Sequence, residues 1–589
     1  IASASDILVD DISSSHTTLN ILGDADATLG TGTALSTKTI AAGTSTGDLT
    51  IELAAAKHNV TTGSGADNVD FNATLGSTDT YDGGAGIDTL TAAPVAGTHT
   101  PTVTNVEKLK LEFSTAASYN ASKTTGATEL YITASSAENF TVNNIPSTVL
   151  TTYLSGTSFA AGDDATLTYA TGSATAHTIK VGDTLDAAAI TMGDVVTSGN
   201  KAGLTILSEG VGTNLVDIVK ANDATSLTIN TDVAMSVDAN TGAGTISATS
   251  ATSFTAKTTG GLLLVDGATD VSKAADLDFD ATDGNMTFTG AMTATKAAAI
   301  DINANGYAFT QTGAFTSDAD IAEINLTAAN KSGSITFGGL LDVDHVKTIN
   351  ATATNGASIS FADIEMLGKD SATSAADVDT ALNLTATGTD VDGNGTTMTI
   401  GAINTAAAAT LDTVTITSDA KATVSFTTGA ANLTITTLDA SASLGTNTFD
   451  TSTSGAAVTM TVGAAKKNTI TTELDQQDII TLASGGGEDV YKVMDDTTAV
   501  DQITNFQPGD GGDTVQIDVS ALVGGVLTNF ASTAMTSAYA VAFGTDANGV
   551  AVDADDAILA LDNVLVVTDT FANIAAVYGA MDLDNETNL

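Results

Sequence analysis

"DTYDGGAGIDTLTA", Asp79 to Ala92, is the stretch from which the rest of this chain can be read. Its centre fits the nine-residue pattern G-G-x-G-x-D-x-U-x, where U is a large apolar residue, through Gly83, Gly84, Gly86, Asp88 and Leu90. Glycine permits the tight and left-handed conformations that turn peptide carbonyls inward. The aspartate supplies a carboxylate, and the apolar residue begins a strand whose side chain enters a core. Turns of this kind stacked one coil apart present carbonyl and carboxylate oxygens to a shared gap. Such a gap suits a hard cation that accepts many oxygens, Ca²⁺, and not zinc or a softer metal.

The template recurs on both sides. Upstream, TGSGADNVD from Thr62 carries Gly63, Gly65, Asp67 and Val69, which puts the two turns on the same side of stacked coils. Between them, TLGSTDTYD from Thr74 keeps Gly76, one place early, with Asp79 and Tyr81 in the aspartate and apolar places. Near the other end, SGGGEDVYK from Ser484 carries Gly485, Gly487, Asp489 and Tyr491, and PGDGGDTVQ from Pro508 carries Gly509, Gly511, Asp513 and Val515. VDQITNF supplies Asp501 and Ile503 in step without the glycines. The candidate Ca²⁺ ligands are Gly63, Gly65, Asp67, Asp79, Gly84, Gly86, Asp88, Gly485, Gly487, Asp489, Asp501, Gly509, Gly511 and Asp513.

The 589 residues include 55 glycines but only four prolines, with Thr, Ser, Asn and Asp throughout, so many short strands and turns are expected and few helices. Short alternating runs mark the strands: LTIN (227–230), IDIN (300–303), INLT (324–327), INAT (349–352), LNLT (382–385), VTIT (414–417) and LTIT (433–436). Each puts two apolar side chains on one face and polar ones on the other. Between their second apolar residues, Ile302, Leu326, Ala351, Leu384, Ile416 and Ile435, the steps are 24, 25, 33, 32 and 19 residues. That spacing predicts an all-β fold, an elongated β-solenoid resembling a parallel β-helix, in which each coil buries its apolar face only by stacking on its neighbours. An array of β-sandwich modules is the competing reading. Three regions are expected: residues 1–115 with calcium turns, a Thr/Ala-rich solenoid over 116–470, and 471–589 with calcium turns again.

Aromatic residues are 4% of the chain and tryptophan is absent, so the core must be built from small side chains in thin layers. There are 69 acidic residues against 18 basic ones, all lysine, for a formal charge of −51. That balance argues against nucleic acid and anionic membrane surfaces as partners. It also predicts that a cation belongs to the native structure, because so acidic a chain repels itself. With no cysteine there are no disulfides and no thiolate metal sites. No apolar run reaches the roughly 18 residues needed to span a bilayer. The opening IASASDILVDD has neither an initiator Met nor a signal-peptide pattern, so a fragment or processed chain is expected.

With these motifs the chain resembles the RTX family, whose nonapeptides, the hemolysin-type calcium-binding repeats, form a parallel β-roll with Ca²⁺ between turns. Members of that family leave Gram-negative cells by type I secretion. GSTDTYDGGAGIDTLTA followed by VTNVEKLKLEF (103–113) looks like a unit common in RTX-containing S-layer proteins and large surface proteins. The likeness covers about 50 residues near the start and about 40 near the end. With few perfect repeats, it implies isolated calcium clamps in a longer β-structure. It also implies a secreted, extracellular structural protein of the bacterial cell surface. Such a protein self-assembles into a calcium-dependent two-dimensional lattice and has cell-surface polysaccharide as an anchoring partner. An RTX adhesin or filament subunit is the alternative, and a secreted hydrolase on a β-scaffold a further one.

No catalytic constellation stands out, and no enzyme is expected. GTSTG (43–47) matches the nucleophile-elbow pattern around Ser45 without a strand-turn-helix context. The H-E-x-x-H motif is absent, and His16, His58, His99, His177 and His345 are never close in sequence. LDVDHVK (341–347) reads as a strand in which His345 is an ordinary member. DVDGNG (390–395) copies half an EF-hand loop but has Gly401 where the closing Glu belongs. DLDFDATDGN (276–285) puts Asp276, Asp278 and Asp280 on one strand face. For both of these acidic clusters, a solvated turn or polar face is the plain reading.

Overall fold

The computed structural model describes residues 16–518 apart from 55–56, 73–74, 135–138, 157–158, 174, 185–188, 239–243, 344–345, 366–380, 405–408, 430–432, 474–475, 485–486, 494–500 and 508–511. It also describes 2–3, 7–9, 541–543 and 564–567. His345 therefore lies outside the described residues, as do the candidate ligands Gly485, Gly509 and Gly511. The chain forms two units, Ile1–Thr295 and Lys296–Leu589.

In the first unit each strand pairs in parallel with the strand one coil later. Asn68–Asp70 pairs with Thr89–Ala92, which pairs with Lys108–Phe113, then Glu129–Ala134 and Thr151–Leu154. The sheet continues strand by strand to Asp276–Ala281. Intervening strands build a second sheet from Thr18–Asn20, Thr39–Ala41, Asn59–Thr61, Thr80–Asp82 and Thr102–Thr104. A third begins at Gly97–His99 and runs through Ala117–Asn120, Phe140–Ile145 and Ala165–Ser173. Among the described residues helix is limited to short 3-10 turns such as Ala121–Lys123. No helix among the described residues is long and apolar enough to cross a membrane.

The period-two pattern explains why these segments are strands. In Ser226–Thr231, Leu227 and Ile229 are fully buried, while Ser226, Thr228 and Asn230 face outward. Small inward side chains make room for large ones on the next coil. Ile229 stacks on Ala256, which stacks on Phe279, and the Phe279 ring meets Phe254 and Phe288 edge-on at 5.8 and 5.7 Å. A thin core of this kind buries enough apolar area only as a continuous column.

The second unit repeats the scheme. Ile302, Leu326, Ala351, Leu384 and Ile416 stand in one column, each opposite the next, so the first four expected steps are real coil lengths. The fifth is corrected: Ile435 pairs with Leu411, not Ile416, and a bulge follows between Thr415 and Thr417. The strands here, Ala409–Ser418 and Leu433–Ser443, are long and alternate Thr with apolar residues throughout. A two-residue period alone cannot say which window of such strands is in step. On the outer face an amide ladder runs from Asn383 to Asn350 to Asn325 to Asp301, at 2.8–2.9 Å per hydrogen bond. Among the described residues antiparallel pairing is confined to a bridge between Thr389 and Gly395 and to the C-terminal strands, where Val564–Val567 pairs with Thr514–Asp518 and Val541–Phe543. β-sandwiches need antiparallel neighbours throughout. The sandwich reading is therefore set aside, and the fold is an all-β parallel solenoid.

Phe279→Ala should cost about 3–5 kcal/mol by opening a cavity in this column. Hydrogen exchange should then speed up first in Ser253–Thr258 and Asp276–Ala281. Unchanged exchange in those two strands would contradict the column packing.

Candidate metal centre

The motif glycines are required by close approach between coils. A side chain at Gly84 (φ 89°) would collide with the carbonyl oxygen of Gly63, and one at Gly63 with that of Ser45. Gly65, Gly86 and Gly487 meet the carbonyls of Gly47, Gly65 and Ala465 in the same way. Backbone bonds tie these turns together: Ser64 N–H donates to Ser45 O at 3.0 Å, and Ala85 N–H to Gly63 O at 2.8 Å.

The aspartates enter the strands from these turns and point along the stack. Asp67 accepts Leu49 N–H on Oδ1 at 2.8 Å and Gly63 N–H on Oδ2 at 3.2 Å. Asp88 Oδ1 accepts Asp67 N–H at 2.8 Å, and Glu107 in turn accepts Asp88 N–H at 2.8 Å. Asp67, Asp88 and Glu107 therefore form one column, with Asp67 and Asp88 buried. Asp79 belongs to the second sheet, where it accepts His58 N–H at 2.7 Å and Gly76 N–H at 2.6 Å.

The C-terminal motif residues repeat the arrangement in two columns. Asp489 accepts Asn468 N–H at 3.0 Å, while Asp513 accepts Asp489 N–H at 3.3 Å and Gln507 N–H at 2.7 Å. In the other column Asp501 accepts Asp478 N–H at 2.7 Å, and Asp478 accepts Val458 N–H at 2.5 Å. Thr472 and the Tyr491 hydroxyl both donate to Asp501 Oδ2. Asp478 and Glu107 were not among the sequence candidates, yet each precedes an inward apolar residue at D-x-I and E-x-L, the same offset as in the motif. Asp164 also accepts an amide of the next coil, from Asp194 at 2.8 Å, but there the buried residue follows directly, as Ala165 and Val195.

Burial makes these carboxylates hard to ionise. Asp88 is pushed up to about 7 by burial first and then by Asp67, Glu107 and Asp48, against the opposing pull of the Asp67 amide. Burial, then Asp501 and Glu473, push Asp478 up to about 7, and burial with Asp513 pushes Asp489 to about 6. Asp67 and Asp513 are raised as well, chiefly by burial. Oδ2 of Asp88 and of Asp478 are buried with no hydrogen-bond partner.

These facts bear on whether Ca²⁺ fits. Asp88 Oδ2 faces the bare Cα of Gly83, 2.6 Å from where a Cβ would stand, and the Asn105 carbonyl closes on the same point. Asn105 lies in the left-handed region at φ 52°, which turns that carbonyl there. The donors are all oxygen, as a hard cation requires. Among the described residues no three His, Asp or Glu side chains form a metal group. An ion here would accordingly rest on one or two carboxylates and on turn carbonyls. The residues fit best at Asp88 with Gly83 and Asn105, whereas both oxygens of Asp67, Asp79, Asp501 and Asp513 already hold amides or hydroxyls.

The other sequence candidates have plain structural tasks. Asp390 Oδ1 caps the amides of Asp392 and Asn394 at 2.9 and 2.8 Å, and the Lys331 ammonium pairs with Asp390 and Asp392. Lys421 donates to Gly393 O at 3.2 Å, so the half EF-hand loop is held by lysines. Ser45 is buried and its hydroxyl donates to Gly23 O at 3.4 Å. Asp276 and Asp278 are exposed and Asp280 pairs with Lys257 at 3.0 Å.

A carboxyl raised from 3.8 to about 7 keeps a proton in the folded chain that the unfolded chain has released. Stability of the metal-free protein should therefore fall as pH rises from about 4 to about 7 and level off above. Asp88→Asn keeps an oxygen for the Asp67 amide and removes the charge, so it should flatten that slope. A melting temperature that rises over the same range would contradict the buried column. No family model, curated protein or solved structure matches the chain, so its function rests on the chemistry of these turns.

Proposed function

We propose that the protein is a secreted structural component of a bacterial surface layer, similar to RTX-type S-layer proteins, in which Ca²⁺ orders the turns and copies of the chain join into a sheet. The observation that carries this reading is the unpartnered Asp88 Oδ2, buried against the bare Gly83 backbone and the Asn105 carbonyl in a chain of charge −51. Asp88 Oδ2 and the Asn105 carbonyl would hold the ion beside the bare Cα of Gly83, with Asp478 in the corresponding role near the other end. The ion supplies positive charge that the 18 lysines cannot, since those with ion pairs serve other turns and strand faces.

The chain's own part is to preset the oxygens. Glycine lets one turn lie on the next, the strand-entry carboxylates are fixed by amides, and burial excludes water. Extracellular calcium modules bind at about 0.1–1 mM, and a site at a hundredfold its dissociation constant adds about 2.7 kcal/mol. A few such sites are a large share of the stability of a thin-cored protein. The solenoid with its exposed Thr, Ser and Asn faces suits assembly better than turnover.

Removing calcium with EGTA should lower the melting temperature and disperse assemblies, and millimolar Ca²⁺ should restore both. Electron micrographs of calcium-loaded protein should show ordered sheets. Fibres would favour the filament subunit, and lone particles that bind a surface ligand the adhesin. Circular dichroism and particle size indifferent to EGTA would sink the calcium reading.

A further inference from the structure

One face of the second unit is a grid of hydroxyls. On five successive strands the segments SIT (334–336), SIS (358–360), TMT (397–399), TVS (423–425) and TNT (446–448) stand opposite one another, residue for residue, with no break in register. The middle residue of each, from Ile335 to Asn447, is buried. The outer two face away from the core, which makes two ranks of Ser and Thr, exposed at Thr397, Thr399, Thr423 and Thr448 and half-buried elsewhere. Thr310 and Thr469 extend the second rank by one coil at each end. Charge begins only outside the grid: Asp363 and Asp450 lie past the second rank, Lys467 follows the first at the next coil, and Lys421 precedes it, engaged by Gly393 O.

These hydroxyls are also free. Among the described residues none of those in the five segments has a hydrogen-bond partner, whereas the Asn383–Asn350–Asn325 column on the unit's other sheet satisfies itself. Their positions are fixed from below, where Phe337 stacks on Phe361 at 5.3 Å, and by the stiff χ1 of the threonines. Neighbouring strands stand about 4.7–4.9 Å apart, too far for one hydroxyl to bond the next. A water bonded to both at about 2.8 Å spans them at an angle of about 120°, close to water's own tetrahedral geometry. Each rank is therefore a row that spaces bridging waters as a tetrahedral water lattice does, and the second rank repeats the row about 6.6–6.8 Å away.

We propose that this face binds ice, with the ordered water of a growing crystal as its ligand. Free hydroxyls in fixed rows supply bonds at the lattice spacing, and the threonine methyls exclude loose water between them. Other occupants lack a hold here. An ion needs charge and a sugar ring is commonly met by an aromatic platform, and the grid has neither. A second copy would bury only about 200 Å² on it, against about 800 Å² per partner in a stable interface. The inference is independent of calcium-dependent assembly.

Slow freezing of the full chain in calcium tests it. Wild type should be enriched in the growing ice and should facet crystals held just below the melting point. Thr399→Lys with Thr423→Lys puts two long cations at exposed grid positions and should abolish both effects with circular dichroism unchanged, and Thr448→Lys alone should weaken them. Thr205→Lys, on the outer face of the first unit, should leave them intact. Wild type that stays in the liquid with unshaped crystals would overturn the ice site. Grid variants that enter ice as wild type does, or Thr205→Lys losing as much as the double, would overturn it too. Binding of wild type to an insoluble polysaccharide, lost in the double and without enrichment in ice, would overturn it in favour of a glycan face. Assembly is read separately by light scattering, so either reading can fail alone.

Discussion

A carboxylate at the entrance of a strand, accepting the backbone N–H of the adjoining coil, is the interaction on which much of this structure depends. Asp67, Asp88 and Glu107 make it near one end and Asp478, Asp489, Asp501 and Asp513 near the other, with Asp164 between. Parallel strands leave a free amide where the chain turns into the ladder, and an unmet buried amide costs about as much as a lost hydrogen bond. Aspartate meets it at the shortest reach, and the charge-assisted bond is stronger than a neutral one. The consequence is that buried carboxylates stand one coil apart in short columns, such as Asp67 with Asp88 and Asp478 with Asp501.

These columns set two of the protein's other properties. Like charges one coil apart disfavour ionisation together, which is why burial and neighbouring carboxylates raise Asp88 and Asp478 to about 7. Either protons or cations must relieve the strain, and the lysines seen in ion pairs serve other places, as at the turn of Asp390 and Asp392. Glycine is the partner of this chemistry: without a Cβ, Gly63 and Gly84 let the carbonyl of one turn lie under the next. Close turns and buried carboxylates together stand in for the disulfides that the chain lacks and the aromatics of which it has few.

Much of the architecture was legible because its two signals are local. Alternation of apolar and polar residues marked the strands, and the steps from Ile302 to Ile416 gave true coil lengths, since each coil must bring one apolar pair back to the same column. The slip at Ile435 came where two long Thr-rich strands offer equivalent windows and a bulge breaks the step. The described motif glycines lie where one turn closes on the next, and the motif aspartates stand at strand entrances. Asp478 and Glu107 lack that mark because no glycine-rich turn precedes them, although their offset from Ile480 and Leu109 is the same. What their carboxylates do could not be read, since an aspartate in a G-x-D-x-U turn suits an amide or an ion equally well.

Sequence alone determined that this chain is built of short strands and tight glycine turns, because period, turn chemistry and residue size are properties of neighbours along the chain; that the strands stack in parallel instead of pairing as sandwiches was decided by the tertiary structure. Only the tertiary structure decided which oxygens are taken by amides and which, like Asp88 Oδ2, are left without a partner. It alone decided, too, that Lys110 and Lys180 close the two ends of the Tyr131–Tyr153 stack. Both outcomes depend on residues about one coil or more apart meeting across the stack, and coil length varies too much for spacing to reveal them.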